Sequence, residues 1–258
     1  MSTYRIWFQG ATDRLHMAPY LDRVEAHLEA ILDPEFSATL HTTSPPATTT
    51  HALTEFRIAG AFVRSAAEAE REGYDAMAIT HFQDAGLAEA KSVADIPVLG
   101  LGETTLLHAC TLGRKLGLVT INPVFIPWHE DQVIRYGLQN RVVGVRAVEA
   151  SVSDFIEAFA HTDAFERLYP KWERECRSLL DAGADVIVPA GGLPMMLYGS
   201  APGANIDGAP VLNGITLIAK AAEMAIKLRR LAGMAAVSRR SSYARPPHKA
   251  LEEFLGQQ

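Results

Sequence analysis

The run Ala76-Met77-Ala78-Ile79-Thr80-His81-Phe82-Gln83-Asp84 places a histidine just past an apolar tetrapeptide. An imidazole ionises near pH 6.5, so His81 at a strand end suits a general base or acid. The plain alternative is a loop histidine held by Asp84. Asp84 itself reads first as the N-cap of the next helix and second as a group that orients the ring. In Val188-Pro189-Ala190-Gly191-Gly192-Leu193-Pro194, Gly191 and Gly192 let the backbone approach a ligand and aim N–H groups at a carboxylate or oxyanion, or else form a tight turn. Glu103 is either an acid at the site or a first-turn glutamate favoured by the helix dipole. Its surroundings, Gly100-Leu101-Gly102-Glu103, lack the third glycine of a dinucleotide fingerprint, so no nucleotide cofactor is expected.

Gln9, Thr12, Thr120 and Asn122 are small polar residues at strand ends, suited to hydrogen-bond a compact polar substrate. Thr80 and Phe82, on either side of His81, are grouped with them. For Asn122-Pro123 a turn competes with that role. His129 and Glu130 open a helix and read as a solvated first turn; a divalent metal held by His81 and His129 is a minor alternative to the expected absence of any cofactor. His41 and His51 flank the Thr/Pro-rich stretch 42–50, expected as a flexible loop that can act as a lid. Cys110 and Cys176 fall inside helical patterns, the first as core packing and the second as a partly buried helix residue.

The elements that position these residues repeat. Residues 70–81 (EREGYDAMAITH) and 95–109 (DIPVLGLGETTLLHA) are echoed by 180–191 (LDAGADVIVPAG) and 208–222 (GAPVLNGITLIAKAA). Both read Gly-x-Asp, buried strand, loop, helix, Pro-Val-Leu strand, glycine, helix. Gly73 and Asp75 match Gly183 and Asp185, and six residues beyond each Asp stand His81 and Gly191. Each half also opens on a similar strand, residues 4–12 and 115–123. Short apolar runs (76–79, 118–121, 186–188) alternate with helical patterns such as Ile58–Glu72 and Trp172–Ala182. That alternation predicts an α/β fold: two pseudo-symmetric doubly wound lobes with parallel sheets and a cleft between them. Ligands bind such sheets beyond the carboxyl ends of the strands, which selects the loops 9–12, 80–86, 122–127 and 190–194. We assign residues 1–110 with 214–235 to the first lobe, 111–213 to the second, and 236–258 to a surface tail with a short helix.

Composition narrows the function classes. The chain has 258 residues, 48% of them hydrophobic, with a formal net charge of -6. That charge supplies no cationic field for nucleic acid or an anionic membrane. No long uncharged apolar run and no leader pattern is visible, and two cysteines suit a reducing compartment, so a cytoplasmic protein acting on a small molecule is expected. The apolar helix pattern 214–228 is compatible with a homo-oligomer interface.

Residues 73–103, 117–149, 181–194 and 209–215 together resemble the aspartate/glutamate/hydantoin racemase superfamily, and among its members the hydantoin and allantoin racemases most. The likeness runs from the first strand to about Leu228. It implies a cofactor-independent, usually oligomeric enzyme in which one cysteine from each lobe flanks the substrate's α-carbon. Here His81 stands in the first cysteine's place and Gly191 best matches the second. Neither Cys110 nor Cys176 falls at either motif, so the two-thiol mechanism does not carry over. Relatives with one cysteine, the arylmalonate decarboxylases, and the maleate isomerases imply that the fold hosts other chemistry. Three classes stay open. The first is a racemase- or isomerase-like enzyme on a hydantoin-, amide- or carboxylate-type substrate, with His81 as acid/base and Glu103 or His129 recruited. The second is a hydrolase or lyase of a small cyclic imide or amide, metal-assisted in one version. The third is a small-molecule binding protein that has lost catalysis.

Overall fold

The computed structural model describes residues 4–256. The chain forms two compact units: one comprises the residues up to Asp13, Leu28–Gly100 and the residues from Ile218 on; the other comprises Arg14–His27 and Leu101–Leu217. The elements in chain order are β1 (Tyr4–Gln9), α1 (Arg14–Ile31), β2 (Phe36–His41), α2 (Ala52–Arg71), β3 (Ala76–Ile79), α3 (Leu87–Val93) and β4 (Val98–Gly100). They continue with α4 (Leu101–Leu112), β5 (Leu116–Thr120), a 3-10 turn (Pro123–Phe125), α5 (Ile126–Arg135), β6 (Val142–Ala147), α6 (Val152–Ala160), α7 (Thr162–Asp181), β7 (Val186–Pro189) and α8 (Gly192–Tyr198). The last are β8 (Asn205–Ile206), β9 (Ala209–Pro210), α9 (Gly214–Ala232), a second 3-10 turn (Ser241–Tyr243) and α10 (His248–Leu255).

The first unit holds a parallel sheet ordered β2-β1-β3-β4. All four residues of β3 are buried, as a strand covered on both faces requires. Trp7, Met77 and Ile79 pack with Ile58, Phe62, Val63 and Ala66 of α2 in one core cluster. Pairing of Gln9 with Ile79 brings the ends of β1 and β3 level, and the Thr80 amide donates to the Gln9 carbonyl at 2.9 Å. The loops 10–13 and 80–86 therefore leave the carboxyl edge side by side.

The second unit repeats the order as β6-β5-β7. Where β4 would follow, the Pro-Val-Leu segment makes only a parallel bridge between Val211 and Ile187, because Ala209 and Pro210 pair back on β8 in an antiparallel hairpin. The repeated Gly-x-Asp has a local cause in both halves. Gly73 and Gly183 take φ of +74° and +94°, ending α2 and α7 in the left-handed turn that glycine accepts. The Tyr74 and Ala184 amides reach back to the Ala69 and Leu179 carbonyls. Each aspartate then accepts from the start of the neighbouring strand: Asp75 from the Arg5 amide at 2.8 Å, and Asp185 from the Arg114 and Lys115 amides at 3.0 and 2.9 Å.

The segment expected as a surface tail docks on the first unit. Arg239 donates to the Lys91 and Ser92 carbonyls at the end of α3, Arg245 pairs with Asp95, and Leu251 and Phe254 of α10 pack against the core cluster. Also in this unit, Lys220 and Lys227 of α9 lie 2.9 and 2.7 Å from the Asp33 carboxylate. Hydrogen bonds from Lys227 and then Lys220 hold that carboxyl down at about 2. A depressed folded-state pKa stabilises above the unfolded value of roughly 3.9 and ceases to do so as pH falls through the folded value. Asp33→Asn is accordingly expected to lower the urea midpoint at pH 7, with the difference from wild type shrinking below about pH 4 and gone only below about pH 2. The pair is exposed, so the effect is small and weakened by salt.

Among the described residues no helix is long and apolar enough to cross a membrane.

Candidate active site

His81 opens the loop after β3, and its imidazole Nε2 lies 2.8 Å from Oε2 of Glu55, in the first turn of α2. Both side chains are mostly buried, 16% and 20% exposed. An ionised carboxylate only accepts, so Nε2 carries a proton in this contact, and a ring holding that single proton presents its lone pair at Nδ1. The Phe62 ring stands edge-on at 6.0 Å, fixing the imidazole from the core side. A positioned histidine backed by a carboxylate is the arrangement that acid/base catalysis uses.

Glu55 lies 26 residues from His81 in sequence, and no short motif links them. The signal available was topological. Helices that follow strands of a parallel sheet begin at its carboxyl edge, so the first turn of α2 faces the loops that were selected. Gly86 locks the two elements together. A Cβ there would come within 2.7 Å of the Ala59 carbonyl oxygen, one turn along α2 from Glu55.

Asp84 does not cap α3. Gly86 is the capping residue, and Asp84 is a buried turn residue with φ of +55°. Its carboxylate fills the space that the bare Gly100 backbone leaves, where a Cβ would approach Oδ1 to 2.4 Å.

The other residues assigned to substrate in this unit divide. Gln9 is 1% exposed; it accepts from the Trp7 indole at 2.8 Å and donates to the Gly10 carbonyl and the Thr43 hydroxyl. Those bonds tie the loop after β2 to the end of β1, in place of the expected substrate contact. Phe82 is 2% exposed and belongs to the core. The half-buried Thr80 donates its hydroxyl to the Gln9 carbonyl at 3.0 Å and keeps only acceptor capacity. Among the described residues nothing hydrogen-bonds the half-buried Thr12 side chain, which leaves its hydroxyl for a ligand.

The stretch expected as a flexible lid is anchored as well. Thr43 donates to the Gly10 carbonyl, the Ala47 amide to the Ala11 carbonyl, and Arg57 to the Pro46 carbonyl. His41 stacks on Trp7 with centroids 3.3 Å apart and bonds the Tyr74 hydroxyl, and burial lowers its pKa. His51 is the exposed N-cap position of α2.

In the second unit His129 is 1% exposed, which corrects the solvated first turn expected for it; Glu130 is exposed. Its Nδ1 lies 3.3 Å from the Gln132 amide oxygen, an acceptor, and its Nε2 lies 3.2 Å from the Thr120 hydroxyl. The Gln132 oxygen accepts from Nδ1–H, and the Thr120 hydroxyl shares a hydrogen bond with Nε2. Thr120, 1% exposed, is engaged from within its own unit. Asn122 caps the 3-10 turn, accepting from the Val124 amide at 3.1 Å, which is the turn role. Glu103 sits half-buried in the first turn of α4, where the helix dipole favours an acid. Gly191 has φ of +149°, a conformation restricted to glycine, and its amide is spent on the Pro189 carbonyl. Gly192 and Leu193 open α8, so their amides have no acceptor within the helix.

Among the described residues no three His, Cys, Asp or Glu side chains gather as a metal site would require. The two thiols differ. Cys176 is fully buried and burial pushes its thiol far up, whereas Cys110 is half-exposed on α4. Only the thiolate reacts, so the native protein is expected to titrate one thiol per chain with an aromatic disulfide reagent at pH 8, and two after unfolding.

The family model for Asp/Glu/hydantoin racemase matches residues 18–222. A hydantoin racemase of Rhizobium meliloti is 31% identical over 183 residues, which cover 71% of each chain. A hydantoin racemase of Pseudomonas sp. (strain NS671) is 38% identical over 86 residues, 33% of this chain and about a third (34%) of that protein's length. The structure of allantoin racemase from Klebsiella pneumoniae superposes with a TM-score of 0.79 over 94% of both chains at 20% identity, a likeness of fold.

Proposed function

The chain belongs to the Asp/Glu/hydantoin racemase family, and from that premise we propose that it is an enzyme of racemase type in which His81 moves the proton. The substrate is a small hydantoin-, amide- or carboxylate-type molecule whose α-hydrogen is acidified by a neighbouring carbonyl. One observation carries this reading: the His81 imidazole sits at the carboxyl end of β3, held by Glu55 at 2.8 Å. Nδ1 of the neutral ring takes the α-proton. The positive charge so formed lies against the Glu55 carboxylate, and the carbanion is shared with the adjacent carbonyl. Return of a proton by the imidazolium to the same face regenerates the starting enantiomer, so inversion requires the planar carbanion to turn its other face to Nδ1 before the proton returns. Among the described residues nothing hydrogen-bonds the Thr12 hydroxyl, which is available to the substrate from the loop beside that of His81.

The single imidazole favours a second reading, a lyase. One base–acid group held by Glu55 suits a decarboxylation, in which carbon dioxide leaves and the carbanion takes a proton from the imidazolium, as well as it suits inversion.

Hydantoins, dihydropyrimidines, cyclic imides, amides and malonates incubated with the full chain and followed by proton NMR and chiral chromatography distinguish the two. Interconversion of enantiomers supports racemisation, and loss of carbon dioxide or of a leaving group supports the lyase. No conversion of any of these substrates counts against both.

A further inference from the structure

The second unit carries a cavity of about 280 Å³ between α1, the α6–α7 junction and the C-terminal half of α8. None of its lining residues belongs to the loops that hold His81 or Gly191-Gly192. Phe159, Phe165 and Met196 make an apolar body, and Arg23 and His161 bring nitrogen donors to it. The two rings are set from behind, Phe159 by Tyr20 at 5.7 Å and Phe165 by Tyr169 at 5.5 Å.

Arg23 has acidic neighbours in Asp22 and Glu25, yet Arg14 pairs with both of them. Arg23 consequently forms no ion pair or hydrogen bond among the described residues, and neither does the His161 imidazole. Asp163, next in the chain to the lining residue Thr162, is held by Arg167 at 2.5 Å. An unpaired guanidinium beside two fixed aromatic faces is a receptor for a planar anion on an apolar body. The fork of N–H donors matches a carboxylate, and the rings offer an apolar contact to the group that bears it.

We propose that this cavity is a second ligand site, which takes a small monocarboxylate borne on an aromatic or branched apolar group, with the carboxylate on Arg23 and the apolar group against Phe159, Phe165 and Met196. The volume lies at the lower edge of known ligand cavities, roughly 300 Å³ and upward, and so limits the ligand to about one ring. The site is independent of the reaction at His81.

The test is titration of the full chain with phenylacetate and with its uncharged analogue phenylacetamide, followed by calorimetry and ligand-observed NMR. Phenylacetate is expected to bind saturably at millimolar concentration or below, and phenylacetamide about tenfold or more weakly. Arg23→Ala, on the surface of α1, is expected to weaken phenylacetate about tenfold, and Ala160→Trp, which fills the mouth, to abolish binding. His81→Ala is expected to leave it unchanged. Absence of saturable phenylacetate binding, equal affinity in Arg23→Ala, or loss of binding in His81→Ala would each overturn the proposal; the last would place the ligand at the other site.

Discussion

Replacing His81 by alanine is expected to lower turnover by about 10² to 10⁴-fold, the usual contribution of a positioned acid/base group, while the protein stays folded. The ring lies at the edge of the core, so its removal opens no large cavity. What it leaves behind is the Glu55 carboxylate, mostly buried and deprived of the Nε2 donor 2.8 Å away. A buried acceptor without its partner costs about 1 to 3 kcal/mol. The double variant His81→Ala/Glu55→Ala should recover part of that stability and none of the turnover. This separates the chemical from the structural effect, because a loop histidine serving only Glu55 would change stability and leave rate untouched. Glu55→Gln keeps a hydrogen-bond acceptor but removes the charge that faces the imidazolium, and should reduce kcat more than it raises KM. Turnover by His81→Ala at the wild-type rate would return His81 to the role of a loop residue.

The second large effect is one of stability transmitted to the site. Gly86→Ala is expected to destabilise the protein by about 2 to 4 kcal/mol, read as a shift of the urea midpoint. Two costs combine. A Cβ at φ of +69° is disfavoured by about 1 to 2 kcal/mol, and here it meets the Ala59 carbonyl oxygen at 2.7 Å and its Cα at 2.9 Å. Neither backbone atom yields as a flexible side chain would, so the overpacking term of about 1 to 3 kcal/mol applies. Gly73→Ala is the control: its φ is +74°, yet a Cβ there meets nothing within 4 Å, so only the conformational cost remains. In Gly86→Ala the loop and α2 move apart one turn from Glu55, and turnover should fall with stability. Equal midpoints for the two variants would remove the close contact from the account.

Much of the fold was readable from the repeat. The Gly-x-Asp echo, the buried tetrapeptides and the order of the elements predict two doubly wound α/β halves, and the sheets β2-β1-β3-β4 and β6-β5-β7 have that shared order. The departure at Val211 was hidden because a hairpin of four residues, Asn205, Ile206, Ala209 and Pro210, captures the segment that the repeat would make a strand. At the site, the position of His81 was legible and its partner was not, since a contact between α2 and the loop after β3 leaves no local spacing to read. Gln9, Thr120 and His129 show the opposite limit. Sequence placed Gln9 and Thr120 at strand ends and His129 in a solvated first turn, but side-chain direction decides whether a polar group faces outward or inward, and hydrogen bonds of Gln9 to Trp7 and Thr43, and of His129 to Thr120 and Gln132, turn these inward. Gly191 was read as a departure from a thiol-bearing pattern; its φ of +149° adds that a cysteine restored there would be strained.

The central claim is that His81 transfers the proton of a carbon acid. It is tested most directly by incubating, in deuterated water, a substrate that the wild-type protein converts, and following the α-carbon by NMR with wild type and His81→Ala. Incorporation of solvent deuterium at that carbon by wild type, slowed at least a hundredfold in His81→Ala at unchanged fold, is the predicted result. Conversion without deuterium, or equal incorporation by both proteins, would contradict it.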